Sequence, residues 1–183
     1  KKAASVPHRF FYRKYKNSNS IVLPMTSSIN REYLPVDYMT KDFVFSNGVF
    51  VIYSPSIHIM GILSSRMHLI WVHAVTGKMR TDVRYSVNLA YNTYPFQEIT
   101  AKQEEELNKN VLNIISERES YPEKTLAELY DPHKMPDGLR DAHIQNDLAV
   151  ESCYRREPFE NDEERLEYLF KLYEKMITDE ETK

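Results

Sequence analysis

The pattern of apolar residues changes period near Gln97, and that change limits the chain to few architectures. Ahead of it, short apolar runs are interrupted by proline, glycine and small polar clusters, which is how strands and tight connections read. Beyond it, apolar residues return at every third or fourth position, the spacing of one helix face. An α+β fold is expected, with a β-rich mixed domain over residues 1–97 and a small helical bundle over residues 98–183. Charge changes at the same place. Residues 1–97 hold 12 Lys and Arg against 4 Asp and Glu, a balance of +8; residues 98–183 hold 12 against 23, or −11; together they give the chain's −3. A basic, tyrosine-rich first half suits a polyanion, and an acidic second half suits a scaffold facing protein or solvent.

Within the first half, residues 9–16 interleave cations with aromatic rings, a composition that can pair phosphates and stack on bases. An edge strand with snorkelling Lys and Arg explains it equally well. Residues 21–25 read as a strand closed by Pro24, followed by a polar loop from Thr26 to Arg31, and residues 33–36 as another short strand. Residues 43–46 and 49–53 are rich in strand formers, and Asn47-Gly48 between them favours a type I′ hairpin turn. Ser65 is placed to cap a helix of about three turns; its apolar positions are Met67, Ile70, Trp71, Ala74 and Val75, and Gly77 suits a left-handed C-terminal residue. That helix delivers the chain into Lys78-Met79-Arg80-Thr81-Asp82-Val83-Arg84-Tyr85-Ser86. Read as one strand, this segment sends Lys78, Arg80, Asp82 and Arg84 to one face and Met79, Thr81, Val83 and Tyr85 to the other. Two arginines flanking an aspartate suit sequence-specific DNA reading, whereas an edge strand charged against aggregation is the competing explanation.

In the second half Thr100 with Gln103, and Asn161 with Glu164, make capping boxes ahead of two helices. Leu126-Ala127-Glu128-Leu129-Tyr130 reads as a short helix stopped by Asp131-Pro132, and another helix follows Pro136-Asp137-Gly138. The tail from Thr178 is expected to fray.

With 42% hydrophobic residues the chain can fill a core. It has no run of about 18 apolar residues and no apolar block of a secretory signal at its start, so a cytoplasmic protein without a membrane partner is expected. The single cysteine, Cys153, excludes an internal disulfide framework. Four isolated glycines cannot form a phosphate-cradling loop. His68 and His73, five apart, fall on different helix faces, and no metal site is expected. Ser64 and Ser65 lack a nucleophile-elbow context. No catalytic residue is expected in this chain.

Three segments, Gly61-Ile62-Leu63-Ser64-Ser65-Arg66-Met67-His68, Gly77-Lys78-Met79-Arg80 with Arg84-Tyr85-Ser86, and Tyr91-Asn92-Thr93-Tyr94-Pro95-Phe96, carry a resemblance. So do Tyr33-Leu34-Pro35-Val36 and the stretch from Leu126 through Met135-Pro136. From about Ile21 onward the chain resembles the C-terminal part of MmeI-like (type IIL) restriction-modification proteins. These single chains join an endonuclease, an adenine-N6 methyltransferase, a target recognition domain and a C-terminal helical region. The resemblance implies that residues 1–97 are most of a target recognition domain for double-stranded DNA and residues 98–183 the helical region. It also implies that the methyltransferase and endonuclease domains, with the Asn-Pro-Pro-Tyr motif, S-adenosylmethionine and Mg²⁺, belong upstream in a parent enzyme, and that this piece, which opens on Lys1 without Met, binds and does not react. The residues matching Arg80 and Asp82 are the variable pair that reads a base, and Arg84 belongs to a shared Arg-Tyr-Ser segment.

Arginine donates twice to guanine and aspartate accepts from cytosine, so Arg80 and Asp82 together suit a G·C pair. Asn47 and Gly48 form a second candidate reading position. Lys78, Arg66, His68, Tyr85, Ser27, Ser28, Asn30 and Arg31 are candidates for the DNA backbone. Two alternatives compete with DNA reading. One is a protein-interaction module packing against a nuclease or methyltransferase without base reading. The other is a single-strand or RNA binder, suggested by 13 tyrosines.

Overall fold

Two small antiparallel sheets sit against six helices in the computed structural model, which describes residues 15–79 and 82–181. The fold is α+β. In the first sheet β1 (Ser20–Pro24) lies between β3 (Asp37–Met39) and β4 (Val49–Tyr53), with Ile21 opposite both Tyr38 and Ile52. In the second, β6 (Asp82–Arg84) lies between β2 (Thr26–Ser28) and β5 (Lys78–Met79). Met25 joins the two sheets: its N–H donates to the Gly48 carbonyl at 3.0 Å, and its own carbonyl accepts from Tyr85 at 2.9 Å.

Several local expectations change. β4 pairs with β1, and residues 43–46 form no strand, so the expected hairpin about Asn47-Gly48 does not exist. Every glycine φ is negative, which excludes the type I′ turn at Gly48 and the left-handed residue at Gly77. Tyr33, Leu34 and Val36 are buried without being a strand, since the neighbouring edge is taken by residues 37–39. The polar loop from Thr26 begins as β2.

Helix α1 (His58–Leu63) has no sequence counterpart above, and Gly61 within it explains why it is short yet central. The Gly61 carbonyl accepts from Asn146 Nδ2 at 2.9 Å, and a Cβ on Gly61 would lie 2.8 Å from Asn146 Oδ1 and 3.0 Å from Val111 Cγ2. Helix α2 (Arg66–Val75) begins where expected, with the Ser65 side chain accepting from the His68 N–H. A π-helical turn (Val87–Tyr91) follows the second sheet. Next come α3 (Ala101–Glu119), α4 (Leu126–Leu129), α5 (Asp137–Ser152) and α6 (Asp162–Glu181). Both halves of the capping box of α3 are made. Asn161 accepts from the Glu164 N–H, but the Glu164 carboxylate turns to the Glu160 N–H and Arg155, so that box is half complete. α6 stays helical to Glu181, beyond the expected fraying point.

The bundle is not made by the second half alone. α1 packs on α3, α3 on α5, and α6 lies against α2. One apolar cluster joins Ile21, Leu23 and Val83 to Val111, Ile114 and Leu139; the other places Trp71 between Tyr94 and Leu169. Trp71 meets Phe170 at 5.0 Å and Tyr173 at 5.5 Å, and its Nε1–H donates to Thr93 Oγ1.

A polar seam accompanies the shared core. Asp147 of α5 accepts from the Arg66 N–H at 2.7 Å, the first turn of α2, and from the Tyr33 hydroxyl at 2.9 Å. Arg140 pairs with Glu32 and Arg118 with Asp37, while Arg118 also donates to the Tyr130 hydroxyl. His143 stacks on Tyr33 at 4.3 Å and meets Tyr130 through Nε2.

Two outcomes follow from this packing. Gly61→Ala gains alanine's helix propensity, about 1 kcal/mol, yet presses on a buried, hydrogen-bonded Asn146; a net loss of about 1 to 3 kcal/mol is expected in urea denaturation. Burial pushes the Asp147 carboxyl from 3.8 up to about 7. Between those values the folded state holds a proton that the unfolded chain has released, so this group removes stability as pH rises from about 4 to about 7 and nothing more above. The stability of the wild type relative to Asp147→Asn should therefore fall between about pH 5 and about pH 7.5. A constant difference would mean that the carboxyl titrates normally.

Candidate nucleic-acid interface

A strand's two faces do different work here. Along β6 and the residue after it, Asp82 and Arg84 are exposed while Val83 and Tyr85 are buried, the two-residue alternation expected of this segment. The expected single strand from Lys78 is not formed. β5 and β6 pair antiparallel, with Lys78 opposite Val83 and Met79 opposite Asp82, so the chain reverses between Met79 and Asp82. Arg80 and Thr81 lie outside the described residues, as do residues 1–14 with most of the aromatic and basic run.

Sequence reasoning missed the neighbour of this row. β2 pairs with β6 so that Thr26 stands opposite Arg84 and Ser28 opposite Asp82. Directly opposed residues share a sheet face. Thr26 is exposed, Ser28 half-buried, and Ser27 between them is buried against the core. The outward row is therefore Thr26, Ser28, Asp82 and Arg84. The period-2 alternation of residues 26–28 is the signal for it, masked by their small polar composition, which reads as loop. Asn30 and Arg31 follow in a turn in which Asn30 N–H donates to Ser28 Oγ. Asn47 and Gly48 are exposed at the start of β4, reached from Arg84 through Tyr85 and Met25. A groove of about 580 Å³ lies alongside, lined by residues that include Met25, Phe50, Arg84 and Asn88.

Three of the expected backbone contacts are buried and so corrected, and a fourth, Arg66, is engaged within the fold. His68 is fully buried, its Nε2 3.0 Å from the Tyr85 hydroxyl and its ring edge-on to Tyr94 at 4.7 Å. Burial pushes its pKa down to about 3, so it is neutral and has no charge to offer a phosphate. Tyr85 is buried with it. Ser27 points inward. Arg66 spends its guanidinium on Asp162 and the Glu32 carbonyl. His68, Tyr85 and Ser27 lie on the buried side of the outward row.

Two family models match end to end: residues 1–98 match "MmeI, target recognition domain" and residues 99–180 match "MmeI, C-terminal domain". The chain is 45% identical over 175 residues to a protein named DNA methyltransferase A from Bacillus subtilis (strain 168), covering 96% of this chain and 20% of that protein. It also superposes with a TM-score of 0.91, at 36% identity, on the type IIL restriction-modification enzyme MmeI solved in complex with DNA, covering 97% of this chain and 24% of that one. The chain thus spans about a fifth to a quarter of these relatives. Among the described residues no helix is long and apolar enough to cross a membrane.

The support behind the row can be tested without DNA. Tyr85→Phe leaves the buried His68 Nε2 without its partner and should cost about 1 to 3 kcal/mol in urea denaturation. An unchanged midpoint would show that the pair does not hold α2 to β6.

Proposed function

The chain belongs to the MmeI family of target recognition and C-terminal domains, and from that membership we propose that it reads a short double-stranded DNA sequence for a longer restriction-modification enzyme. The observation that carries this reading is the outward row Thr26, Ser28, Asp82 and Arg84 on a sheet whose other face is buried. The first half that bears the row has a charge balance of +8. A short antiparallel ribbon fits the major groove, where each base pair shows a distinct pattern of donors and acceptors.

In this reading Arg80 and Asp82 serve a G·C pair, the arginine donating to guanine and the aspartate accepting from cytosine. The chain reversal before Asp82 removes the simple two-residue step along one strand, so their joint role rests on family resemblance and on closeness in the chain. Arg84 fixes the backbone or a neighbouring base. Asn47 and Gly48 form a second reading position, and Lys78, Ser28, Asn30 and Arg31 serve phosphates. Adenine-N6 methylation and cleavage, with S-adenosylmethionine and Mg²⁺, belong in this proposal to other parts of the parent protein, and the present residues bind without reacting. Residues 1–97 recognise the target, and residues 98–183 hold that part in shape.

Selection of duplexes from a random pool, followed by fluorescence anisotropy, tests this. Wild type should enrich one site and bind it more weakly as salt rises. Arg80→Ala should cost about 1 to 3 kcal/mol on that site and relax one position, with little change on a scrambled duplex. Equal losses on both duplexes would exclude base reading by Arg80. No duplex binding at about 50 mM salt would favour a protein-interaction module.

A further inference from the structure

We propose that Asn88 reads an adenine next to the Arg84 contact, its carboxamide accepting from N6 and donating to N7 in the major groove. This rests on the DNA-reading proposal above and adds to it a further specificity-determining residue. The groove of about 580 Å³ beside β6 brings the two side chains together, because Arg84 and Asn88 both line it, with Met25, Phe50 and Tyr85. Arg84 belongs at once to this lining and to the outward row of β2 and β6. A duplex that meets Arg84 therefore lies against the groove that Asn88 faces. Among the described residues that line it, Arg84 is the one charge, and no carboxylate stands there to repel a polyanion.

Asn88 is held by its backbone and presented by its side chain. Ser86 caps the π-helical turn, its side chain accepting from the Leu89 N–H and its carbonyl from the Ala90 N–H, and the Asn92 N–H donates to the Val87 carbonyl. Val87 packs against the core and Ala90 is buried, whereas Asn88 between them is exposed. Asn92 Nδ2 donates to Asn88 Oδ1 at 3.4 Å. That contact leaves a lone pair on the oxygen and both Nδ2 hydrogens without a further hydrogen bond among the described residues. A carboxamide offers a donor and an acceptor side by side. A phosphate, which only accepts, would use half of it; adenine, with the N6 donor beside the N7 acceptor, uses both.

The test uses the 183-residue protein and the duplex it selects from a random pool. Each adenine of either strand is replaced in turn by 7-deazaadenine, which exchanges N7 for C–H and leaves N6 and the Watson–Crick edge intact. At one or more positions the wild type should lose affinity by about threefold to tenfold, the worth of one hydrogen bond. At one of these positions Asn88→Ala should show no further loss, and sites selected by this variant should relax at that position alone. Asn88 lies on the surface, and an unchanged circular dichroism spectrum verifies the fold of the variant. A selected site without adenine, a flat scan, a loss that persists in the variant at every sensitive position, or a variant weakened equally on all duplexes, as loss of a phosphate contact would do, overturns the proposal. If a site is selected and one of these results follows, only this proposal fails; if no site is selected, the DNA-reading proposal fails with it.

Discussion

A partly buried carboxylate, Asp147, ties together the parts that set the outward row of β2 and β6. It accepts from the N–H of Arg66 in the first turn of α2 and from the hydroxyl of Tyr33 in the bend before β3. The first N–H groups of a helix have no partner within the helix, and an acceptor there satisfies them and complements the dipole. Ser65 serves the His68 N–H of the same turn. With both acceptors in place the start of α2 is fixed, and only Thr76 and Gly77 separate its end from β5. The His68–Tyr85 contact then ties α2 directly to the residue after β6. Placement of Asp82 and Arg84 thus depends on an α5 residue more than sixty positions further along the chain.

The polar seam also shapes the electrostatics. Only four carboxylates occur in residues 1–97, and two of them, Glu32 and Asp37, are paired with Arg140 and Arg118 of the second half. Those pairs neutralise acids that would otherwise offset the cations of the first half. The partly exposed Arg140–Glu32 pair contributes little to stability, about 0 to 1 kcal/mol, whereas Arg118 is buried and depends on Asp37 and the Tyr130 hydroxyl as its partners. The larger effect of both pairs is on the field: the acidic helical half lends cations to the seam, and the half bearing the outward row keeps its positive excess. Charge asymmetry between the halves is therefore compatible with a common core, since the pairs that join them are local.

Much of this was legible in sequence wherever the determining interaction is short-range. The caps of α2 and α3 are sequence-local hydrogen bonds, and Ser65, Thr100 and Gln103 mark them. Alternation from Asp82 to Tyr85 is equally local. The misread elements depend on partners far along the chain. Val49–Tyr53 has the composition of a hairpin arm, but its strand partner is β1, and residues 43–46 are left out. The reversal between Met79 and Asp82 carries no glycine, proline or asparagine to announce it. Asp147 is one of 27 acidic residues in the sequence, and nothing beside it says that Tyr33 and Arg66 will meet it. His68 looks like an available cation until tertiary burial makes it neutral.

The pleat of a strand separates the residues that carry stability from those that face outward. Val83 and Tyr85 fill the core and meet His68 and Phe50, so changing them disturbs packing or leaves a buried polar atom unpaired. Asp82 and Arg84, one position away in each case, are exposed, and among the described residues their side chains make no hydrogen bond or ion pair, only their backbones being tied into the sheet. Substitutions at exposed positions of that kind usually change stability by no more than about 0.5 kcal/mol. A chain built this way can exchange the groups it presents outward while α2, β6 and the core behind them stay as they are. The constraint is the period itself: a one-residue slip of β6 against β2 would bury the charges and expose Val83, and the His68–Tyr85 contact opposes that slip.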